Sequence, residues 1–278
     1  MDLLHMPLHY LWLVPLGFAV GAYGTLIGAG GGFLLVPMLL LLYPQETPET
    51  ITSISLAVVF FNALSGSVAY ARLKRIEYRS GVIFSAATIP GAILGALTIA
   101  YIPRLFFDSV FGLLLITLSV FLAIKPGGRE KEPRSCPPNH RACNLTEADG
   151  TVHRFSYNQP LGVAVSLAVG FVSSLLGIGG GIIHVPVLVH LLNFPVHIAT
   201  ATSHFVLANM ALTGTLTHIA TGAFTHGVRR TMLLSLGVLL GAQLGAKLSG
   251  RMQGPWIIRG LAIALGAVGI RLLGTALF

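Results

Sequence analysis

Eight apolar runs alternate with short polar breaks along the chain, at residues 10–43, 51–71, 81–101, 106–124, 160–192, 197–221, 231–250 and 256–277. A hydrocarbon core of about 30 Å is crossed by roughly 20 helical residues, so most of these runs have the length of one span. The first and fifth are too long for a simple span. Each carries a glycine cluster near its middle, which predicts a discontinuous helix or a re-entrant segment. The fold class expected is an all-α integral membrane protein of about eight transmembrane helices, arranged as two four-helix repeats with glycine-broken first helices. Residues 1–124 form the first repeat, 125–158 a polar linker and 159–278 the second repeat. The linker holds Pro126, Gly127, Gly128, Pro133, Pro137 and Pro138 among charges of both signs, a composition suited to a solvated connection.

The two halves share a pattern. Gly28-Ala29-Gly30-Gly31-Gly32 is followed by Val36-Pro37, and Gly177-Ile178-Gly179-Gly180-Gly181 is followed by Val185-Pro186 at the same spacing. Further on, Thr52 and Ser55 correspond to Thr200 and Ser203, Gly66 to Gly214, and Gly91 with Gly95 to Gly241 with Gly245. Duplication explains these matches.

Composition supports the bilayer as solvent. Hydrophobic residues make up 54% of the chain and charged residues 9%, with a mean hydropathy of +0.81. A soluble exterior needs roughly a quarter of its residues charged. The net charge of +8 gathers in the breaks and forms no stripe, so nucleic acid is not an expected partner. Arg72, Lys74, Arg75 and Arg79 follow the second run, and Arg229 with Arg230 occupy the matching break of the second half. If every run crosses once, both basic breaks, the linker and the termini face the cytoplasm, and the halves are related by an axis along the membrane normal. If the glycine-broken runs turn back, an inverted arrangement is the alternative. The expected setting is a multi-pass protein of the cell inner membrane.

The glycine clusters are the strongest candidates for chemistry. Glycine in a helix interior costs about 1 kcal/mol relative to alanine, so helix stability does not select it. Unwound backbone at membrane depth persists only where it is buried in protein or lines a polar cavity, and a helix restarting there presents free N–H groups that favour an anion. Close helix packing is the alternative use of the same residues. Pro37 and Pro186 lack an N–H and free a carbonyl in the preceding turn, which keeps the second half-helix locally open. Candidate substrate-binding residues are therefore Gly30, Gly31, Gly32, Pro37, Ser55 and Asn62 in the first half, with Gly179, Gly180, Gly181, Pro186, Thr202, Ser203, His204 and Asn209 in the second. Hydroxyls and amides donate to oxyanion oxygens without adding fixed charge.

All nine carboxylates lie at or before Asp149 and none is centred in a run, which argues against a cation pathway or a carboxylate proton relay. Histidine is then the available titratable group. His204 and His218 are the candidates, since His184, His190 and His197 fall nearer the expected span ends. Cys136 and Cys143 both lie in the linker and are expected as free thiols, a disulfide loop or a metal site with His140 being the alternatives. No nucleotide, zinc-protease or catalytic-triad motif occurs, so no cofactor, metal site or enzyme activity is expected.

The glycine motifs with their Val-Pro pairs, the Asn62-Ala63-Leu64-Ser65-Gly66 segment with Tyr70, and Gly91-Ala92-Ile93-Leu94-Gly95-Ala96, together with the second-half copies, resemble the sulfite exporter TauE/SafE permeases. The resemblance covers nearly the whole chain except the linker. It implies a permease of usually eight spans that moves sulfur-containing anions such as sulfite, sulfonates, sulfoacetate or thiosulfate. The chain departs from the family in its long charged linker and in His204, where an apolar residue more often follows the Ala-Thr-Ser run. The function expected is secondary transport of a small sulfur oxyanion or organosulfonate by alternating access, with proton or sodium coupling left open. An anion channel, and a membrane enzyme or assembly factor without transport, are the alternatives.

Overall fold

Helix starts follow local capping chemistry. Thr47 accepts from the Thr50 N–H ahead of Pro48, Glu77 accepts from the Ser80 N–H, and Asn158 accepts from the Leu161 N–H ahead of Pro160. Each satisfies a donor that the helix leaves free. The computed structural model describes residues 10–124, 140–224, 227–249 and 254–277. In order the elements are α1 (Leu13–Leu26), α2 (Gly32–Leu42), α3 (Pro48–Arg72), α4 (Tyr78–Thr98), α5 (Arg104–Ile124), β1 (His140–Thr146), β2 (Val152–Asn158), α6 (Gln159–Leu175), α7 (Gly181–Pro186, continued by a π-helical turn to Leu191), α8 (Val196–Ala220), α9 (Val228–Ser249) and α10 (Gly254–Leu277). Four described helical stretches are long and apolar enough to cross a membrane: Pro48–Arg72, Tyr78–Tyr101, Arg104–Ile124 and Val228–Ser249. Shorter apolar helices accompany them. Leu94, Leu113, Leu240 and Ile263 on their outer faces are each more than half exposed, as lipid-facing positions are.

Glycine contacts fix the helix directions. Gly237, Gly241 and Gly245 of α9 seat successively against Val14, Phe18 and Ala22 of α1, so these two helices run the same way. Gly91 and Gly95 of α4 seat against Leu167 and Phe171 of α6, also in the same direction. Absence of a side chain lets backbones approach, and here each half's glycine pair receives the broken helix of the other half. In contrast α8 runs against α3, with Gly66 facing His204 and Gly214 facing Leu56.

Both long runs turn back at their glycines. Tyr43, at the end of α2, lies beneath the Arg230 guanidinium, 3.8 Å from it, and Glu46 pairs with Arg230 at 2.8 Å. Arg230 opens α9, which starts beside the start of α1. The run beginning at α1 therefore returns to the end of the bundle where it began, called here the near end. At the far end the fifth run does the same: a Cβ on Gly162 of α6 would lie 3.2 Å from Leu192, just past α7. Each run thus returns to the end where it began, which overturns the expectation that the basic breaks share a face. Arg72 and Arg75 sit at the far end, whereas Arg230 sits at the near end, because each turn-back reverses the parity of every later helix.

The linker differs from a plain solvated connection. Its first part, with Cys136, lies outside the described residues. Residues 140–158 form an antiparallel hairpin in which His140 pairs with Asn158 and Thr146 with Val152, turning through Gly150 at φ +89°. Apolar residues alternate along β2, and Phe155 and Tyr157 are buried against Phe194, with Tyr157 also meeting Phe84 edge-on. The turn docks on the α3–α4 loop. The Arg75 Nε donates to Glu147 Oε2 at 2.6 Å, His153 Nε2 contacts the other oxygen at 2.9 Å, and the Ala148 N–H donates to the Leu73 carbonyl.

Cys143 of β1 is a free, buried thiol. Burial, and then the nearby Glu77 carboxylate, push its pKa up to about 11. At about pH 8 roughly one thiol in a thousand is then ionised, and the thiolate is the reactive form. In a Cys136→Ser background, maleimide labelling of Cys143 is expected to be slow in the folded protein and rapid after detergent unfolding. Mass spectrometry of the labelled fraction checks this, and fast labelling of folded protein would place the thiol in solvent.

Candidate functional site

The two turn-backs meet in the centre of the bundle. Gly28, Gly30 and Gly31 have φ of +77°, +74° and +80°, and Gly177, Gly179 and Gly180 have +68°, +79° and +88°. L-residues with side chains rarely hold that conformation, which accounts for glycine at the six positions. The chains also touch: a Cβ on Gly32 would lie 2.7 Å from the Ile178 carbonyl oxygen, and one on Gly181 would strike the Gly28 carbonyl. Val59 of α3 and Leu207 of α8 pack against both Gly30 and Gly179.

The first break is wired by side chains. The Asn62 Nδ2 donates to the Gly30 carbonyl at 2.9 Å, so its Oδ1 faces Thr25 and accepts the Thr25 hydroxyl proton at 3.1 Å. That proton being used, Thr25 Oγ1 is the acceptor for His204 Nε2 at 3.2 Å, which places the ring proton on Nε2. Tyr70 closes the cluster by donating to the Thr25 carbonyl at 2.7 Å and meeting the His204 ring edge-on. Asn62, Thr25, Tyr70 and His204 are all fully buried. At the second break, the Ser55 hydroxyl donates to the Gly177 carbonyl at 2.7 Å. A cavity of about 10 Å³, the room of one water, lies beside Gly179, Gly180 and Gly181 with Ser203 and His184 on its wall.

Of the residues singled out from sequence, Gly30, Gly31, Gly32, Ser55, Asn62, Gly179, Gly180, Gly181, Ser203 and His204 gather at the centre. Four do not. Pro37 faces a groove toward Val268 and Arg271 of α10, and Pro186 leads into the π-helical turn, whose wider bonding fits a missing N–H. The Thr202 hydroxyl accepts from the Glu77 N–H in the far-end loop, and Asn209 bonds Phe205 and Ser85 on the flank of α8. Sequence reasoning missed Thr25, Tyr70, Ser173 and the central place of His184. The turn-back carries His184 inward, where a straight span would have left it near an end. Thr25 and Tyr70 carried a signal, being polar groups next to a glycine break and to Gly66.

A family model described as sulfite exporter TauE/SafE matches residues 13–272 of the chain. The chain belongs to the sulfite exporter TauE/SafE family. Its relatives include the probable membrane transporter protein YunE of Bacillus subtilis, 33% identical over 97% of this chain and 99% of that one. A probable membrane transporter protein of Methanocaldococcus jannaschii is 26% identical over 76% of this chain and 74% of its own. One of Xylella fastidiosa is 29% identical over 73% and 69%. No solved structure matches the chain at a significant level. As a TauE/SafE member the chain is a membrane transporter, and its apolar helices fit a multi-pass protein in a lipid bilayer.

Proposed function

We propose that this TauE/SafE transporter moves a small anion, a sulfur oxyanion or an organosulfonate, through the meeting point of its two glycine turn-backs. The observation that carries the reading is the central contact of Gly32 with Ile178 and of Gly181 with Gly28, where two unwound segments enter from opposite ends. Helix starts at such points favour negative charge. Asn62, Ser55 and His204 brace the two bends, Ser203 adds a neutral hydroxyl with no partner among the described residues, and no described carboxylate lies there. The family description, sulfite exporter, supports sulfur chemistry for the substrate.

In this reading α3, α4, α5, α8, α9 and α10 cross the membrane and the two turn-backs enter without crossing, which makes the halves an inverted repeat. The far end carries Arg72, Lys74, Arg75, Arg79, Arg141 and Arg154, against Arg104, Arg229, Arg230 and Arg271 toward the near end. By the excess of Lys and Arg, the far end faces the cytoplasm of an inner membrane. The cavity beside the second break has room for about 10 Å³, too little for an open pore, which favours alternating access over a channel. Purified protein in liposomes is expected to take up at least one of labelled sulfite, thiosulfate and a sulfonate saturably, faster when the same anion is trapped inside. No flux of any sulfur anion, with other anions carried well, would contradict the substrate assignment. Flux without saturation would indicate a channel.

A further inference from the structure

The two breaks are chemically unequal. At the first, Thr25, Asn62, Tyr70 and His204 bond one another and the Gly30 carbonyl, and of the side-chain polar atoms of these four only His204 Nδ1 lacks a partner among the described residues. At the second, three polar atoms, Ser173 Oγ, Ser203 Oγ and His184 Nδ1, have no hydrogen-bond partner among the described residues. Their side chains are 0%, 1% and 2% exposed, so bulk water does not serve them. Buried polar atoms left unpaired are rare enough to call for an explanation.

Two of the three share a cavity wall with Gly180, and the third lies against Gly180 itself. Ser203 and His184 line the small cavity beside it, and Ser173 Oγ lies 3.1 Å from where a Gly180 Cβ would stand. The hydroxyls rotate freely to donate. His184 Nε2 lies 3.3 Å from the Ser166 hydroxyl, and in the tautomer where that hydroxyl donates, Nδ1 carries the ring proton and is a third donor. Three donors around a glycine that leaves its backbone open match the oxygens of a tetrahedral oxyanion head.

The charge of that head follows from what the wall lacks. No Lys, Arg, Asp or Glu lines the cavity. The described basic side chains lie toward the two ends: Arg75 is bound to Glu147, and Arg230 to Glu46. In a buried site the cost of removing an ion from water rises with the square of its charge. Neutral donors can offset one charge, whereas a second would need a cation beside it.

We propose that the chamber at the second glycine break is a subsite for a singly charged oxyanion and that it discriminates against dianions. The assignment rests on the transport reading above and narrows it. Ser203 and Ser173 donate to the oxygens, His184 supplies the third donor, and the absence of a fixed cation sets the selectivity. The chamber widens from its present volume when the anion enters.

The test uses full-length protein in liposomes at one fixed pH, with labelled methanesulfonate as permanent monoanion and sulfate and thiosulfate as dianions. Methanesulfonate uptake is expected to exceed that of either dianion by about tenfold or more. Ser203→Ala and Ser173→Ala are each expected to lower it by about tenfold with the protein still monodisperse. Dianion uptake equal to that of methanesulfonate would overturn the charge selectivity alone. Unchanged uptake in both serine variants would mean that the hydroxyls hold a water only. Absence of flux for every anion would overturn the transport reading together with the subsite.

Discussion

Gly181→Ala is expected to reduce transport to background and to lower the melting temperature. The added methyl would meet the Gly28 carbonyl oxygen and lie 2.6 Å from the Ala29 Cα. Both neighbours are backbone atoms of the opposing turn-back, so no flexible side chain can swing aside. Overpacking of a tight interior costs about 1–3 kcal/mol, and here the strain falls on the junction that the two halves share. Gly32→Ala is the mirror case, with its methyl 2.7 Å from the Ile178 oxygen and 2.8 Å from the Ile178 carbonyl carbon. Gly274→Ala supplies the contrast, because a Cβ there meets nothing within 4 Å and its φ is not positive. That variant should melt as the parent does or slightly higher. Detergent-solubilised thermal melts and liposome uptake read both effects. Full transport in Gly181→Ala and Gly32→Ala would remove the junction from the pathway.

Arg75→Ala is the second large expected effect, and it acts on the hairpin. The side chains of Arg75 and Glu147 are 9% and 5% exposed, and the pair holds the β1–β2 turn to the α3–α4 loop. Removing one partner of a buried ion pair costs about 3–5 kcal/mol when the other charge is stranded, and here Glu147 would keep only His153, 2.9 Å from its second oxygen. Hairpin release relieves that cost by returning Glu147 to water. Trypsin cleavage after Arg141 or Arg154 is therefore expected to accelerate by about a hundredfold, with the helical bundle remaining intact. Replacing both partners, Arg75→Met with Glu147→Leu, should recover much of the protection, since an apolar pair leaves no stranded charge. Unchanged cleavage in Arg75→Ala would show that the aromatic contacts of Phe155 and Tyr157 hold the hairpin unaided.

The sequence made some of this legible and concealed the rest for physical reasons. The two glycine clusters stood out because eight glycines at matched spacing have no use in a plain span, and all the positive-φ positions within them are glycines. The pairs Gly91 with Gly95 and Gly241 with Gly245 were visible as matches. Their partners were not, since only the fold brings each pair against the other half's broken helix. Turn direction was hidden because hydropathy adds up length. Helices of 14 and 11 residues joined by apolar glycine backbone read as one long run whether they continue or reverse. That ambiguity misplaced His184 and put Arg75 and Arg230 on one face. The hairpin lay inside a stretch whose overall polarity masked the alternation of Phe155 and Tyr157 with polar neighbours, a period-2 signal of only a few residues. Thr202 and Asn209 are polar residues on an apolar helix, but a helix presents all its faces, and theirs point to the loop and the flank.

The central claim is that both glycine-broken runs return to the end where they start, so that their bends meet inside the membrane as the anion site. Its most direct test is sidedness. In protein freed of Cys136 and Cys143, single cysteines are placed at Gln45, Asp149 and Asn193, all exposed in loops, and labelled in oriented vesicles with a membrane-impermeant maleimide. The account predicts that Asn193→Cys and Asp149→Cys label from one face and Gln45→Cys from the other. Labelling of Asn193→Cys from the face of Gln45→Cys would mean that the fifth run passes straight through, and the meeting of the two glycine bends would be lost with it.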